Sequence, residues 1–222
     1  MSNGLASVEP DAPLYRLGRQ PDPWAWPDWS YAAPDGTFGN RYDDPEGSYR
    51  VLYACSQRLG AFLETLARFR PDLEVLAELD RIEGEEEPSA AVPRTWLDAR
   101  VIGEATVEGR FVDVGDTTSL ATLRTALAAG AIHHGLDEID AATIRLRAPR
   151  AFTQQVSRYV YEQGSFVGIR YRSRFGDDLL NWAIFEPGAD GRSPLAGTSS
   201  ARIEADDPDL RGALDLLGLT LG

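Results

Sequence analysis

The order of strand-like and helix-like segments constrains the fold of this 222-residue chain more than any other feature. Runs with β-type alternation and runs with helical spacing are mixed, without the regular strand–helix–strand repeat of a doubly wound parallel sheet. The predicted fold class is therefore α+β, a single domain with mixed or antiparallel sheets flanked by helices. The predicted strands are residues 49–55, 96–114 (one or two strands, turning near Gly109), 168–173 and 181–185, and the predicted helices are 57–70, about 119–130, 151–163 and 207–217.

Local signals set the ends of these helices. Ser56 is predicted to cap the first helix, and Pro71 ends it. Thr117–Ser119 suits the cap of the second helix, and Pro208 suits the first turn of the last one. The first helix has an apolar face at helical spacing, formed by Leu59, Phe62, Leu63 and Leu66.

The remaining stretches are predicted to be irregular or short. Residues 1–40 are rich in proline, which forbids a long helix, and Trp24, Trp26 and Trp29 are predicted to pin this irregular arm onto the core. A polar loop with a short strand or turn is expected over 137–149, and a Gly/Ser-rich loop after Pro187. A short helix over 72–80 and an acidic loop over 84–88 complete the prediction.

Charge and residue types exclude several classes of site. The net charge is −13, with arginines dispersed among acids, so nucleic acid is not an expected partner. All 22 basic residues are arginine, which excludes a lysine Schiff base and a P-loop lysine. No GxGxxG follows a predicted strand, so a Rossmann site is not supported. His133 and His134 lack further ligands nearby, so no metal site is expected.

The single cysteine and the absence of long apolar runs indicate the compartment. Cys55 is the only cysteine, which excludes an internal disulfide framework, and its apolar neighbours predict a buried thiol. No apolar run approaches the ~20 residues of a transmembrane helix, and no secretory signal is recognisable. We therefore expect a cytoplasmic protein without membrane association.

Five side chains with complementary chemistry are the candidate functional residues. Two arginines, a carboxylate, an aromatic ring and a hydroxyl are suited to binding a pyrophosphate and a ribose. These are the groups by which a protein can bind NAD. Each also has a simpler interpretation, as a surface ion pair, a solvated helix or strand residue, or an ordinary strand aromatic. The five residues are Arg16, Arg41, Tyr53, Glu64 and Ser173, with both arginines in segments predicted to be irregular.

Short motifs around these residues resemble the RES domain family, the NAD-degrading toxins of bacterial Xre–RES toxin–antitoxin pairs. The resemblance runs from about Leu14 to Glu186 and implies a fold like that of ADP-ribosyltransferase toxins. It divides the chain into an N-terminal tail (1–13), the RES domain (14–190) and a loop with a C-terminal helix on the same domain (191–222). The matching motifs are LYR at 14–16, FGNRYDDP at 38–45, VLYA at 51–54 with Glu64 eleven residues after Tyr53, GIRYRSR at 168–174, and NWAIFE at 181–186.

The resemblance implies roles for individual residues. Glu64 would stabilise the ribose cation that forms when the nicotinamide bond breaks, with Arg41 and Tyr53 as the other catalytic residues. Substrate-binding roles fall to Arg16, Tyr42, Ser173 and Asn181, of which Asn181 alternatively only orients its neighbours. Thr153 is a rival to Ser173 as the functional hydroxyl. Asp43 and Asp44 stand where the family has asparagine and proline, and aspartates near a phosphate site would repel the phosphate.

The implied activity is NAD⁺ degradation without a cofactor, by phosphorolysis to ADP-ribose 1″-phosphate or by hydrolysis to ADP-ribose. Inorganic phosphate is then a possible co-substrate, and an Xre-type antitoxin a possible protein partner. Two alternatives stay open, namely ADP-ribosyl transfer to a protein and a catalytically silent antitoxin-binding module. The amphipathic segment 209–222 either packs on its own core or forms a homodimer contact.

Overall fold

An eight-stranded mixed sheet organises the protein, whose computed structural model describes residues 4–72, 90–189 and 191–222. Within these residues the strand order is β1-β6-β7-β8-β3-β2-β5-β9, and a separate pair joins β4 to β10. The strands are β1 (Ser7–Val8), β2 (Leu14–Arg19), β3 (Val51–Cys55), β4 (Ala91–Val92), β5 (Arg100–Val107), β6 (Phe111–Asp113), β7 (Gly168–Arg172), β8 (Leu180–Phe185), β9 (Leu195–Arg202) and β10 (Thr220–Leu221).

Neighbouring strands in the large sheet are antiparallel except for β6 and β7, which are parallel. The β2–β3 pairing is the shortest interior one, since its register consists of Tyr15 opposite Cys55. The β5–β9 pairing is long but shifts register between Ala105 and Thr106, where Gly197 has a φ of 73°. A left-handed glycine at such a shift is characteristic of a G1-type β-bulge.

Six α-helices are present among the described residues, with short 3₁₀ turns at Trp29–Tyr31 and Ala67–Phe69 and a π-helical turn at Thr143–Arg147. Asp116 and Asp207 cap two of the helices by accepting hydrogen bonds from backbone amides in the first turn. The helices are α1 (Arg58–Leu66), α2 (Arg94–Asp98), α3 (Thr117–Ala126), α4 (Ala128–His133), α5 (Arg150–Glu162) and α6 (Pro208–Leu217).

Alternation along β3 shows how the helices cover the sheet. Val51 packs into a core with α3, α4 and α5, whereas Cys55 packs into a second core with α1 and α6. Tyr53 lies between them on the same face, because side chains two residues apart share a face of a strand. Leu52 and Ala54 point to the opposite face, into a third core that includes Trp24. The helix-covered face therefore carries two separate helical layers with Tyr53 at their junction.

Most predicted elements are confirmed, with boundaries shifted by a few residues. The strands at 49–55, 168–173 and 181–185 and the helices at 151–163 and 207–217 are present, whereas the helix predicted over about 119–130 is divided between α3 and α4. Trp24 is buried in the third core, as expected for a pinned arm, but Trp29 is 41% exposed. The apolar face of α6 is buried on the chain's own core. The helix expected over 72–80 lies outside the described residues except for position 72. The acidic loop expected over 84–88 lies outside them entirely.

Several local predictions are wrong. Ser56 does not cap α1; its hydroxyl accepts a hydrogen bond from Trp182 Nε1, and Gln57 precedes the helix without a side-chain cap bond. Arg16 belongs to strand β2 rather than to an irregular segment. The cap of α3 is Asp116, one residue before the predicted range. The strand predicted from residue 96 begins later, at Arg100, because residues 94–98 form α2. The turn expected within 137–149 is present, as the π-helical turn.

The largest miss is β9, which occupies part of the predicted Gly/Ser-rich loop. Its eight residues are mostly exposed, so no apolar alternation marks them as a strand. Backbone hydrogen bonding to β5 holds this strand at the edge of the sheet. No helix among the described residues is long and apolar enough to cross a membrane.

Candidate active site

A cavity of about 820 Å³ opens at the junction of the two helical layers, beside Tyr53. Pockets of roughly 300–1,000 Å³ are typical of small-molecule sites. Its walls come from β2, β3, β7, β8, α1, the segment around Arg41, and the start of α5. The lining residues are Tyr15, Arg16, Leu17, Asn40, Arg41, Tyr53, Ala54, Cys55, Ala61, Glu64, Thr65, Arg68, Ala148, Arg150, Tyr171, Arg172, Arg174 and Asn181.

The charge of this cavity is opposite to that of the whole chain. Six arginines and one carboxylate, Glu64, line it, although the chain has a net charge of −13. Clustered guanidinium groups attract anions and bind phosphates through paired N–H donors. The cavity is therefore suited to a ligand with more than one phosphate.

Glu64 is the most tightly held functional side chain in the cavity. Its Oε1 accepts a 2.7 Å hydrogen bond from the Ser173 hydroxyl and a 2.6 Å hydrogen bond from Asn181 Nδ2. Ser173 and Asn181 are each only 1% exposed. Because both donors bind the same oxygen, the carboxylate is fixed in orientation while its other oxygen remains available to a ligand.

Arg16 fills the gap where β2 and β3 separate. Its Nη1 donates to the Tyr53 carbonyl oxygen at 2.7 Å, and its Nε donates to the Pro23 carbonyl oxygen at 2.8 Å. Burial lowers the pKa of Arg16 to about 10, partly offset by the nearby Cys55 and Tyr53. The guanidinium therefore stays charged at neutral pH, and its remaining N–H groups can bind an anion without the side chain having to reorganise.

Arg41 is positioned by a backbone carbonyl of the π-helical turn. Its Nη2 donates to the Ile144 carbonyl oxygen, while its Nε is buried without a hydrogen-bond partner among the described residues. An unsatisfied buried donor is costly unless a ligand or water completes it. Turns of π type are frequent at functional sites, and here the turn supplies an acceptor that helical pairing would otherwise use.

Tyr53 connects the sheet to the segment that carries Arg41. Its hydroxyl donates to Asp43 Oδ1 at 2.8 Å and accepts a 2.9 Å hydrogen bond from the Tyr42 backbone amide. Burial raises the pKa of Tyr53, and the charge of Asp43 raises it further. The phenol is therefore a neutral donor at physiological pH.

Asp43 and Asp44 accept hydrogen bonds that stabilise the loop carrying Arg41, and neither faces the phosphate-binding side of the cavity. Asp43 is 2% exposed and also accepts a 2.6 Å hydrogen bond from the Asn40 amide, and burial raises its pKa. Asp44 is 1% exposed and accepts hydrogen bonds from the amides of Glu46 and Ser48. Neither aspartate lines the cavity, so neither carboxylate would directly face a bound phosphate.

Three predicted residues, Tyr42, Thr153 and Ser173, do not line the cavity. Tyr42 is fully buried and packs against Tyr171, at 4.8 Å between ring centroids, so Tyr171 forms the wall that Tyr42 was expected to form. Thr153 is also fully buried and donates to the Arg150 carbonyl oxygen one helical turn earlier. The hydroxyl that reaches Glu64 is that of Ser173, which is buried rather than solvent-facing.

Four cavity arginines were missed by the sequence analysis, namely Arg68, Arg150, Arg172 and Arg174. Arg172 and Arg174 flank Ser173, so their alternation with it in the GIRYRSR motif was a usable signal. Arg68 lies one helical turn beyond Glu64. Arg150 has no comparable signal, because α5 brings it to the cavity from far along the chain, where its Nη1 donates to the Gly39 carbonyl oxygen.

The described residues include no group of three or more histidine, cysteine, aspartate or glutamate side chains that could hold a metal ion. His133 and His134 lie at the end of α4, away from the cavity lining.

Comparison with known proteins identifies the family. A chain in the crystal structure of the M. tuberculosis MbcT–MbcA toxin–antitoxin complex shares the fold, with a TM-score of 0.50 and 12% identity over 96% of this chain and 92% of that chain. No curated protein matches the sequence at a significant level. The α+β fold of the ADP-ribosyltransferase toxin type is confirmed. A family model described as the RES domain matches residues 13–204. The chain thus belongs to the RES domain family.

Proposed function

We propose that this protein cleaves the nicotinamide–ribose bond of NAD⁺ and is the toxin of a toxin–antitoxin pair. The observation that carries the proposal is the pairing of one anchored carboxylate, Glu64, with six arginines in a single cavity. The arginines match the two phosphates of the dinucleotide. The carboxylate matches the positive charge that develops on the ribose when the bond breaks.

Substrate binding follows from the two best-placed arginines. Arg16 donates hydrogen bonds to two backbone carbonyls and Arg41 to one. The Nε–H of Arg41 has no partner among the described groups. Both can donate charge-assisted hydrogen bonds to pyrophosphate oxygens. Prior anchoring means that binding the ligand costs little side-chain entropy. Tyr53 and Tyr171 offer aromatic walls for the nicotinamide ring.

The bond-breaking step needs charge stabilisation more than acid catalysis. The electron pair of the C–N bond leaves with nicotinamide, which becomes neutral, and the ribose carbon acquires oxocarbenium character. The free oxygen of Glu64 would accept a hydrogen bond from a ribose hydroxyl and stabilise that cation. Its other oxygen stays bound to Ser173 and Asn181 throughout.

The acceptor that we propose is inorganic phosphate. Two phosphates of NAD⁺ do not exhaust six arginines, and Arg150, Arg172 and Arg174 remain to bind a third anion. A phosphate oxygen would form a bond to the ribose carbon and give ADP-ribose 1″-phosphate. Water as the acceptor would instead give ADP-ribose.

The toxin assignment rests on the family and on the solved structure with the same fold, which is a toxin–antitoxin complex. We propose an Xre-type antitoxin as the partner that silences the activity. An acidic chain surface suits a basic partner. Co-expression with the product of an adjacent Xre-like reading frame should relieve growth arrest and should yield a stable complex.

The decisive experiment measures nicotinamide release from NAD⁺ with and without phosphate, with mass spectrometric identification of the second product. We expect ADP-ribose 1″-phosphate when phosphate is present. ADP-ribose alone would replace phosphorolysis by hydrolysis. Label transfer from NAD⁺ to proteins in a lysate would indicate ADP-ribosyl transfer, and no release under any of these conditions would reject the enzymatic proposal in favour of a silent binding module.

A further inference from the structure

A buried chain of hydrogen bonds continues from Glu64 to the only thiol of the protein. Asn181 donates from Nδ2 to Glu64 Oε1 at 2.6 Å and accepts at Oδ1 from Cys55 Sγ at 3.0 Å. Cys55 is 5% exposed and Asn181 1% exposed, and the two residues are cross-strand partners on β3 and β8. The strand register therefore fixes this contact.

The Cys55 thiol completes the hydrogen bonding that fixes the orientation of the Asn181 amide. A carboxylate oxygen only accepts hydrogen bonds, so the NH₂ group of Asn181 must point toward it. The amide oxygen then points away and, being buried, needs a donor. Cys55 provides that donor, and burial raises the pKa of its thiol, so the sulfur keeps its proton at physiological pH.

Ser173 forms the second arm of the same arrangement. Its Oγ accepts a 3.0 Å hydrogen bond from the Phe175 backbone amide, which turns the hydroxyl proton toward Glu64 Oε1. A backbone amide thus orients the serine as the thiol orients the asparagine. Both arms end on one oxygen of Glu64.

We propose that Cys55, Asn181 and Ser173 are positioning residues, which together hold one oxygen of Glu64 so that the other faces the ribose. The proposal rests on the proposed function of Glu64. It reassigns Ser173 and Asn181, which the sequence analysis placed among the substrate-binding residues, because the donor groups that point into the site are committed to Glu64. It also gives the buried thiol a role that requires no nucleophilic reactivity.

The test compares Cys55→Ser with Cys55→Ala in steady-state nicotinamide release. Serine keeps an O–H donor for Asn181 Oδ1, whereas alanine leaves that oxygen unsatisfied. We expect Cys55→Ala to lower kcat about three- to tenfold with KM within about twofold. Cys55→Ser should restore most of kcat. Ser173→Ala should likewise lower kcat more than it raises KM, because it releases Glu64 without removing a ligand contact.

A stability control separates positioning from packing. Val156 is fully buried in the core with α5, outside the cavity, and Val156→Ala should lower the free energy of unfolding without changing kcat. Burying a hydroxyl often destabilises more than burying a methyl group. A higher kcat for Cys55→Ser than for Cys55→Ala, although the serine variant is the less stable of the two, would support a positioning role. Equal kcat values for Cys55→Ala and the wild type, or equal losses in both Cys55 variants, would overturn the proposal.

A second measurement keeps the inference independent of turnover. If the wild type releases no nicotinamide, the proposed function fails. The side-chain amide signals of Asn181 in ¹⁵N NMR then test whether the hydrogen bond from Cys55 to Asn181 exists. These signals are identified by their absence in Asn181→Asp. Cys55→Ala should shift them and Cys55→Ser should largely preserve them. Unchanged signals in Cys55→Ala would show that the thiol does not orient the amide.

Discussion

The Tyr53 hydroxyl donates a 2.8 Å hydrogen bond to Asp43, which ties a central strand of the sheet to the loop that carries Arg41. The same hydroxyl accepts a hydrogen bond from the Tyr42 amide, so both of its hydrogen-bonding functions are used within the protein. Tyr53 therefore shapes the arginine side of the cavity through its polar end and lines the cavity with its ring.

Tyr53→Phe should loosen this loop while keeping the aromatic wall. Asp43 is buried and loses one of its donors, so we expect a loss of about 1–3 kcal/mol in the free energy of unfolding. The KM for NAD⁺ should rise because Arg41 is less well placed. Urea unfolding and steady-state kinetics measure the two effects. Tyr159→Phe, on α5 outside the cavity, is the matched control; an equal KM in both variants would contradict this role.

Glu64→Gln should abolish most of the activity without unfolding the protein. The glutamine oxygen can still accept hydrogen bonds from Ser173 and Asn181, but the negative charge facing the ribose is lost. We expect kcat to fall about 10²–10³-fold, the range for removal of one electrostatic group from a transition state. Nicotinamide release and thermal melting check this together. Glu104→Gln on β5, outside the cavity lining, should retain wild-type kcat; an active Glu64→Gln enzyme would remove Glu64 from the mechanism.

Arg41→Gln should weaken substrate binding more than it slows chemistry. The substitution removes a guanidinium that the Ile144 carbonyl holds in the cavity. Loss of a charge-assisted hydrogen bond to phosphate predicts about a tenfold or larger rise in KM. Arg124→Gln is the control, since Arg124 forms an exposed ion pair with Glu138 outside the cavity. A KM unchanged from wild type would mean that other arginines bind the pyrophosphate.

The free energy of unfolding should fall as the pH rises above about 9. Burial raises the pKa of Cys55 from 9.0 and those of Tyr42, Tyr53 and Tyr171 from 10.0. The unfolded chain therefore loses these protons first, and each group can contribute up to about 1.4 kcal/mol per pH unit. The lowered pKa of Arg16 has the opposite effect, because its loss of a proton in the folded state above about pH 10 raises the free energy of unfolding with pH. The three tyrosines together outweigh this one group.

Urea unfolding at intervals from about pH 8 to about pH 11 measures this dependence. Cys55→Ser lacks the thiol and should remove the part of the loss that begins near pH 9. The tyrosine part should persist in that variant. A free energy that stays level up to pH 11 would contradict the burial of these groups.

Sequence patterns predicted the α+β class because helical and strand periodicities alternate irregularly, and these patterns reflect burial on one face. They failed for β9, whose side chains are mostly exposed and whose pairing is made by the backbone. They also misplaced the cap of α1, because the Ser56 hydroxyl instead accepts from Trp182, a long-range contact that local patterns do not encode.

Five of the seven residues predicted for the site line one cavity, but the sequence did not predict how they are arranged there. Motif spacing brought Glu64 and Ser173 into one prediction, but their direct hydrogen bond depends on how β7 meets α1. Tyr42 was expected to line the cavity, but Tyr171 does so instead, since strand and loop positions alone do not show which ring faces a cavity. The carbonyl that orients Arg41 belongs to a main-chain conformation that has no side-chain signature.

Because arginine supplies all the positive side-chain charge, arginine-directed labelling can report on ligand binding in the cavity. Acylating reagents find no lysine side chain anywhere in the sequence, and maleimides meet a single thiol that is buried and protonated. Dicarbonyl reagents such as phenylglyoxal condense with guanidinium groups, and six of the 22 arginines line one cavity. Peptide mapping of the adducts, with and without a candidate nucleotide, would therefore footprint ligand occupancy residue by residue.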